Sequence, residues 1–212
     1  MNKLDDYGQY KKDIFTKLNF SFQSGKKILD IGCGDGMDSY IFKTVYKLKS
    51  YCIDIFKHDN FFSKLKSIKF KKAGIDDIPY PDDFFDYIFI HDVLHHIDEN
   101  NQRFKLHLQA LKETLRVCKK SGTIIIIEGN RFNPLFYPHM VKLLGHDHWT
   151  QSYFKKTIRL AFKKHEIKYQ YFEAHNYPNL ISFWKIYEKI MEKIVPKAFI
   201  AYNVAIIKKN DQ

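Results

Sequence analysis

The run Ile28-Leu29-Asp30-Ile31-Gly32-Cys33-Gly34-Asp35-Gly36 constrains this chain more than any other segment. An apolar stretch of strand length ends in three glycines at alternate positions, and the residues after them read as a helix. Glycine is required where the backbone turns sharply and approaches a ligand with no Cβ in between. The N–H groups of such a loop, and of the helix start, can hold an anionic group. The spacing is GxGxG rather than the GxGxxG of dinucleotide binders, and Asp30 stands two residues before the first glycine. A carboxylate there repels a pyrophosphate and suits a ligand with an ammonium group, such as the methionine end of S-adenosylmethionine. A glycine-rich turn that binds nothing is the plainer alternative, so the rest of the chain has to decide.

Short apolar runs alternate with amphipathic stretches. Residues 26–31, 50–55, 67–71, 84–91 and 123–128 read as strands, with helices near 36–47, 58–66 and 101–118. In the last of these, Phe104, Leu108, Leu111 and Leu115 form an apolar stripe at steps of four, three and four. Strand, helix, strand in repetition is the pattern of an α/β protein with a parallel sheet covered on both faces. After residue 129 the order changes. A loop with Pro134 and Pro138 leads to a short helix and then a helix near 152–164. Strands near 166–174 and 198–208 follow, with a helical insert at 180–194 between them. With no repeat or linker, the 212 residues read as one domain, 1–212, with insertions near 130–150 and 180–195.

Two further features weaken the plainer alternative. Asp54 closes the next strand, 18 residues after Gly36, where an acid in α/β nucleotide sites accepts hydrogen bonds from ribose hydroxyls. An acidic turn then precedes the strand that ends at His91. Ligands of open parallel sheets collect at the carboxyl ends of the strands. The glycine loop, Asp54, the turn after residue 71 and His91 therefore converge on one crevice.

In these motifs the chain resembles the class I S-adenosylmethionine-dependent methyltransferases, in particular the type 11 group that includes the ubiquinone and menaquinone methyltransferases. ILDIGCGDG resembles the family's glycine-rich motif and YCIDI its acidic second strand. IPYPDDFFDYIFIHDVLHHI resembles the stretch leading into strand four, and LRVCKKSGTIIII the helix and strand that follow. The resemblance covers roughly residues 25–130. It implies a Rossmann-like three-layer sandwich with strand order 3-2-1-4-5-7-6 and strand seven antiparallel. It also implies S-adenosylmethionine as cofactor, with contacts at Asp30, Gly32, Gly34, Gly36, Asp54, Ile55, Ile75, Asp76 and His91. Gly74 stands where relatives place an adenine-binding Asp, so the backbone of Ile75 or the carboxylate of Asp76 is the candidate replacement. Lys120-Ser121 replaces the usual Pro-Gly before the fifth strand, with Gly122 retained.

A sulfonium is already activated, so the enzyme chiefly aligns a nucleophile behind the methyl group. A base is needed only for a protonated acceptor. His95 and His91 are the candidate catalytic residues, because imidazole titrates near neutrality. The plainer reading has His96 packed locally and His95 exposed. Some quinone-pathway relatives bind magnesium through a Glu-His pair at this point. His95 departs from that acid, and a hard cation prefers oxygen, so no metal is expected. His146 and His148 could also face the acceptor, but the loop carrying them offers no further ligand in the sequence.

The acceptor is the least legible part. A net charge of +11 suggests nucleic acid, yet only four of the 35 basic residues are Arg, the residue that grips phosphates and base edges. The Asn/Asp-Pro-Pro-Tyr clamp of base N-methyltransferases is missing after strand four. Nucleic acid is therefore not favoured as a partner. The stretches 130–149 and 180–195 are rich in aromatic and aliphatic residues, which suits a small apolar or aromatic acceptor methylated at oxygen or carbon. Lys185, Lys189 and Lys193 also allow 180–195 to rest on an anionic membrane surface, although a lid helix packed on the sheet is the simpler account. An RNA or protein methyltransferase, or a non-catalytic S-adenosylmethionine-binding module, are the alternatives. Cys33, Cys52 and Cys118 form no CxxC pair, and the N-terminus lacks the apolar run of a signal peptide. A soluble, cytoplasmic protein is expected.

Overall fold

Seven strands pair into one sheet in the computed structural model, which describes residues 6–58, 68–99, 101–145, 148–176 and 181–210. The strands are β1 (Lys27–Ile31), β2 (Lys49–Asp54), β3 (Lys69–Lys72), β4 (Phe85–His91), β5 (Cys118–Gly129), β6 (Glu166–Phe172) and β7 (Tyr202–Lys208). Their order is β3-β2-β1-β4-β5-β7-β6. All neighbours up to β5 run parallel, and β7 is antiparallel to both β5 and β6. This is the Rossmann-like arrangement that the motifs imply.

Alternation along the central strands feeds two cores. Leu29, Ile31, Ile88, Ile90, Ile124 and Ile126 pack on one side, where they meet α3 (Phe104–Val117) and α4 (Gln151–Ala161). Ile28, Tyr87, Phe89, Ile125 and Ile127 point the other way, toward α1 (Asp6–Lys17) and α2 (Met37–Thr44). On that side Phe42 sits 4.9 Å, centroid to centroid, from both Phe15 and Phe89, and all three rings are buried. Truncating any one of them to Ala removes about 3–5 kcal/mol of stability. A fifth helix, α5 (Ile181–Ile194), lies between β6 and β7 in the chain.

Several boundaries differ from the sequence reading. β5 extends from 118 to 129, because residues 118–122 continue the ladder past a register shift opposite Phe85 and Tyr87. The buried stripe of α3 is His107, Ala110, Leu111, Thr114 and Val117, rotated from the expected leucine stripe. Two polar residues can occupy it because each is bonded: His107 Nε2 to Ile97 O and Nδ1 to the Tyr153 hydroxyl, Thr114 to Leu111 O. The strand expected at 198–208 begins at Tyr202, after a short 3-10 turn at Lys197–Phe199. Helix α1 was not foreseen at all. Most of the helix expected at 58–66 lies outside the described residues.

Candidate active site

A cavity of about 690 Å³ opens at the carboxyl ends of β1, β2, β3 and β4. Small residues and bare backbone create it. Gly32 has φ +68°, and a Cβ at that position would lie 2.4 Å from Val93 Cγ2, so only glycine lets the loop pass the turn after β4. Gly32 N donates to Ile53 O at 2.9 Å, which ties the loop to the end of β2. Gly36, at φ 79°, starts α2 with no side-chain cap. Asp54 lines the cavity and is held on two sides: Oδ2 accepts from Gly34 N at 2.8 Å, and Oδ1 from Phe56 N at 2.9 Å. Ile55, Gly74, Ile75 and Asp76 form the wall beside it. A Cβ on Gly74 would stand 2.4 Å from Asp76 Oδ1, so the Asp76 carboxylate fills the space that a side chain at 74 would take.

On the opposite face of the sheet, behind the glycine loop, lies a compact polar cluster. Asp38 Oδ2 is 3.2 Å from Lys11 Nζ and 3.0 Å from His91 Nδ1, and the Lys11 and His91 atoms are 3.1 Å apart. Burial opposes the charge on Asp38, but Lys11 and His91 overcome it and hold its carboxyl down at about 2. Burial likewise works against the Lys11 ammonium, and the Asp38 charge outweighs it, leaving Lys11 above its ordinary value. Asp30 accepts from Ser39 Oγ at 2.6 Å; burial, then repulsion from Asp38, lifts it to about 8. The Tyr10 and Tyr202 hydroxyls meet at 2.8 Å above this group.

A third set of side chains follows β4. His95 is buried and its Nδ1 lies 2.7 Å from Glu128 Oε2. Glu128, fully buried, also accepts from Val93 N and Leu94 N through Oε1. Burial disfavours the charged form of His95, yet the Glu128 carboxylate dominates and raises it. Asp92, at φ 54°, accepts from Gly129 N at 2.8 Å and reaches the cavity wall.

The expected residues therefore fall into groups. Gly32, Asp54, Ile55, Ile75 and Asp76 line one cavity, as do Asp92, Val93 and His96 beyond β4. Gly34 and Gly36 shape the loop. Asp30 and His91 belong to the cluster on the other face, because alternate residues of a strand point to opposite sides. The expected exposures of the two neighbouring histidines are reversed: His95 is buried, while the His96 side chain is half-exposed near Glu99. His148 is buried; His146 lies outside the described residues. Lys11 was missed, although Tyr10, Ile14, Phe15 and Leu18 recur at the spacing of an amphipathic helix.

The strand order and this cavity define a Rossmann-like fold with an open crevice at the carboxyl ends of its strands. Residues 29–126 match the family model described as "Methyltransferase domain". Over this segment, just under half of its length, the chain is similar to the class I S-adenosylmethionine-dependent methyltransferases of the type 11 group. It is 30% identical over 122 residues to "Phosphoethanolamine N-methyltransferase 1" of Zea mays, covering 52% of this chain and 24% of that one. It is 24% identical over 158 residues to "Ubiquinone/menaquinone biosynthesis C-methyltransferase UbiE" of Vibrio vulnificus, covering 64% and 58% of the two chains. It thus spans between a quarter and three-fifths of the length of these two relatives. The fold is similar to that of a SAM-dependent methyltransferase from Archaeoglobus fulgidus, with TM-score 0.67, 16% identity, and 96% and 93% of the two chains covered.

Proposed function

We propose that this chain transfers the methyl group of S-adenosylmethionine to a small apolar or aromatic acceptor, at oxygen or carbon, by in-line displacement. The observation that carries the reading is the cavity that Gly32, Asp54 and residues 74–76 form together, of a size that suits a nucleoside cofactor. In this reading Asp54 takes the ribose hydroxyls, which compete with the N–H groups of Gly34 and Phe56 for its oxygens. Ile55 and Ile75 flank the adenine, and Asp76 accepts from its amino group in place of the acid that Gly74 displaces. The N–H groups around Gly34 and Gly36 face the methionine end. Asp30 supports that loop from behind through Ser39 and α2. His95 is the histidine through which an acceptor oxygen is engaged, since its Nδ1 is occupied by Glu128 and its Nε2 is left for a second partner.

The apolar acceptor is supported by the stretches that follow β5. Phe136 lies 5.9, 5.7 and 5.6 Å, between centroids, from His148, His175 and Tyr202. Trp184 and Tyr187 of α5 lie 5.9 and 5.6 Å from His175. α5 turns Phe183, Ile186, Ile190 and Ile194 outward, interleaved with Lys185, Lys189 and Lys193. That face supports peripheral contact with an anionic membrane through 180–195, where an apolar acceptor would collect. No described helix is long and apolar enough to cross a membrane.

Calorimetry with S-adenosylhomocysteine tests the cofactor assignment, and absence of heat at millimolar ligand rejects it. Transfer of label from the methyl donor into lipid extract, RNA and protein fractions tests the acceptor. Label in the lipid extract supports this reading, label in RNA or protein alone rejects it, and tight binding without label in any fraction indicates a non-catalytic module.

A further inference from the structure

The turn after β4 and the segment after the π-helical turn at Tyr137–Leu143 bring three metal-ligating side chains together. Asp92, His95 and His148 each offer one ligand atom, and these atoms lie within 4.8 Å of one another. Donors bound at about 2.1 Å to one ion sit roughly 3.4 Å apart, so small side-chain rotations close the set.

Three separate features prepare these side chains. The first is His148, only 8% exposed, whose two ring nitrogens have no hydrogen-bond partner among the described residues. A buried imidazole left without a partner is costly unless something else uses its lone pair. His148 is held in place from the next residue: Trp149 is buried, donates from Nε1 to Gln102 at 2.8 Å, and packs on His107. Gly129 makes room for the ring, since a Cβ there would lie 2.9 Å from His148 Nδ1.

The second feature is the Glu128–His95 pair. A carboxylate on one imidazole nitrogen fixes the tautomer and presents the other nitrogen's lone pair, the arrangement found behind metal-bound histidines. The third is Asp92, whose Oδ1 is engaged by Gly129 N while Oδ2 stays within 3.5 Å of His91 Nε2.

We propose that Asp92, His95 and His148 form a binding site for a borderline divalent transition ion of the zinc class, set at the edge of the methyl-transfer cavity. Two imidazoles and one carboxylate favour such an ion over magnesium or calcium, which prefer oxygen. Three protein ligands leave a coordination position for an acceptor oxygen. An ion there would lower the pKa of a hydroxyl or phenol before methylation, and the proton would leave to solvent. The ion-binding site itself stands apart from the acceptor's identity; only this last role rests on the methyltransferase reading.

The test uses the chelator-stripped chain, with zinc followed by calorimetry and cobalt followed by its visible absorption. One ion per chain is expected, with cobalt bands of a four- or five-coordinate site. His148→Ala and Asp92→Asn should each weaken zinc binding by more than the ~10–100-fold seen for groups that only orient a ligand. The exposed His139→Ala should not change it. Zinc should also raise the Tm of the parent chain and leave that of His148→Ala unmoved, which keeps the test valid if a variant is less stable. No stoichiometric binding to the parent chain, or undiminished binding to His148→Ala, overturns the site. S-adenosylhomocysteine titrated into the metal-free chain separates the two proposals: heat there with no zinc binding sinks the metal site and leaves the cofactor reading standing.

Discussion

The two faces of the sheet's carboxyl edge solve opposite problems. On the α3 side the chain removes side chains, using Gly32 and Gly74, and leaves a cavity edged by Asp54 and Asp76. On the α1 side it fills the equivalent space with Lys11, Asp38 and His91, which pair with one another, and with Asp30, which bonds to Ser39. The first face stays open for a ligand because its polar groups are backbone N–H and half-buried carboxylate. The second is closed because its charges are compensated from within. The lesson is that acids on neighbouring strands, Asp30 of β1 and Asp54 of β2, need not share a task.

Blocking the open face at its glycine loop should have the largest effect. Gly32→Val drives a side chain into Val93 at a positive φ, so S-adenosylhomocysteine binding should fall by more than about 100-fold in calorimetry. Affinity retained within tenfold would show that the loop does not form the cavity floor. On the closed face, Lys11→Met strands the Asp38 charge and should cost about 3–5 kcal/mol in urea unfolding. A loss below 1 kcal/mol would mean the cluster is solvated rather than self-compensating.

Asp54→Ala removes a charged acceptor and should weaken S-adenosylhomocysteine by roughly 10–100-fold, equivalent to about 1.5–3 kcal/mol. His95→Ala should change the same affinity only a few-fold, and equal losses would contradict the division between cofactor and acceptor groups. Asp30 supplies a pH test. With its carboxyl raised to about 8, the native state keeps a proton that the unfolded chain releases near pH 4. Its stabilising contribution is complete below pH 4, is lost as pH rises, and is gone above about 8. Asp30→Asn should flatten stability between pH 5 and 8 by up to ~1.4 kcal/mol per pH unit; an unchanged slope would move the effect elsewhere. Asp76→Asn should be mildest, within about tenfold in affinity, since the amide oxygen can still accept where the carboxylate oxygen did.

Most strands and the cavity were legible because they follow from short-range pattern: apolar runs, glycine spacing and an acid at a strand end; the strand order followed from the family resemblance that those motifs carry. Long-range partners were not. Nothing near His148 in the chain indicates that Asp92 and His95 lie within reach, and Glu128 reads as an ordinary strand residue until its bonds to His95 and the turn after β4 are seen. α1 escaped because its apolar stripe is short and surrounded by lysines, yet Ile14, Phe15 and Leu18 are buried. The face assignment of Asp30 and His91 follows from period-two alternation, which the convergence of strand ends conceals.

The placement of β7 between β5 and β6 carries a consequence for biosynthesis. β6 is made first but pairs only with β7, so it must wait beside an incomplete sheet until Tyr202–Lys208 emerges. During that interval Ile124–Ile127 of β5 present an uncovered hydrogen-bonding edge, a ready template for a neighbouring nascent chain. Slow translation through residues 173–201 should therefore promote aggregation, and chaperone demand should peak just before the last strand is threaded into its gap.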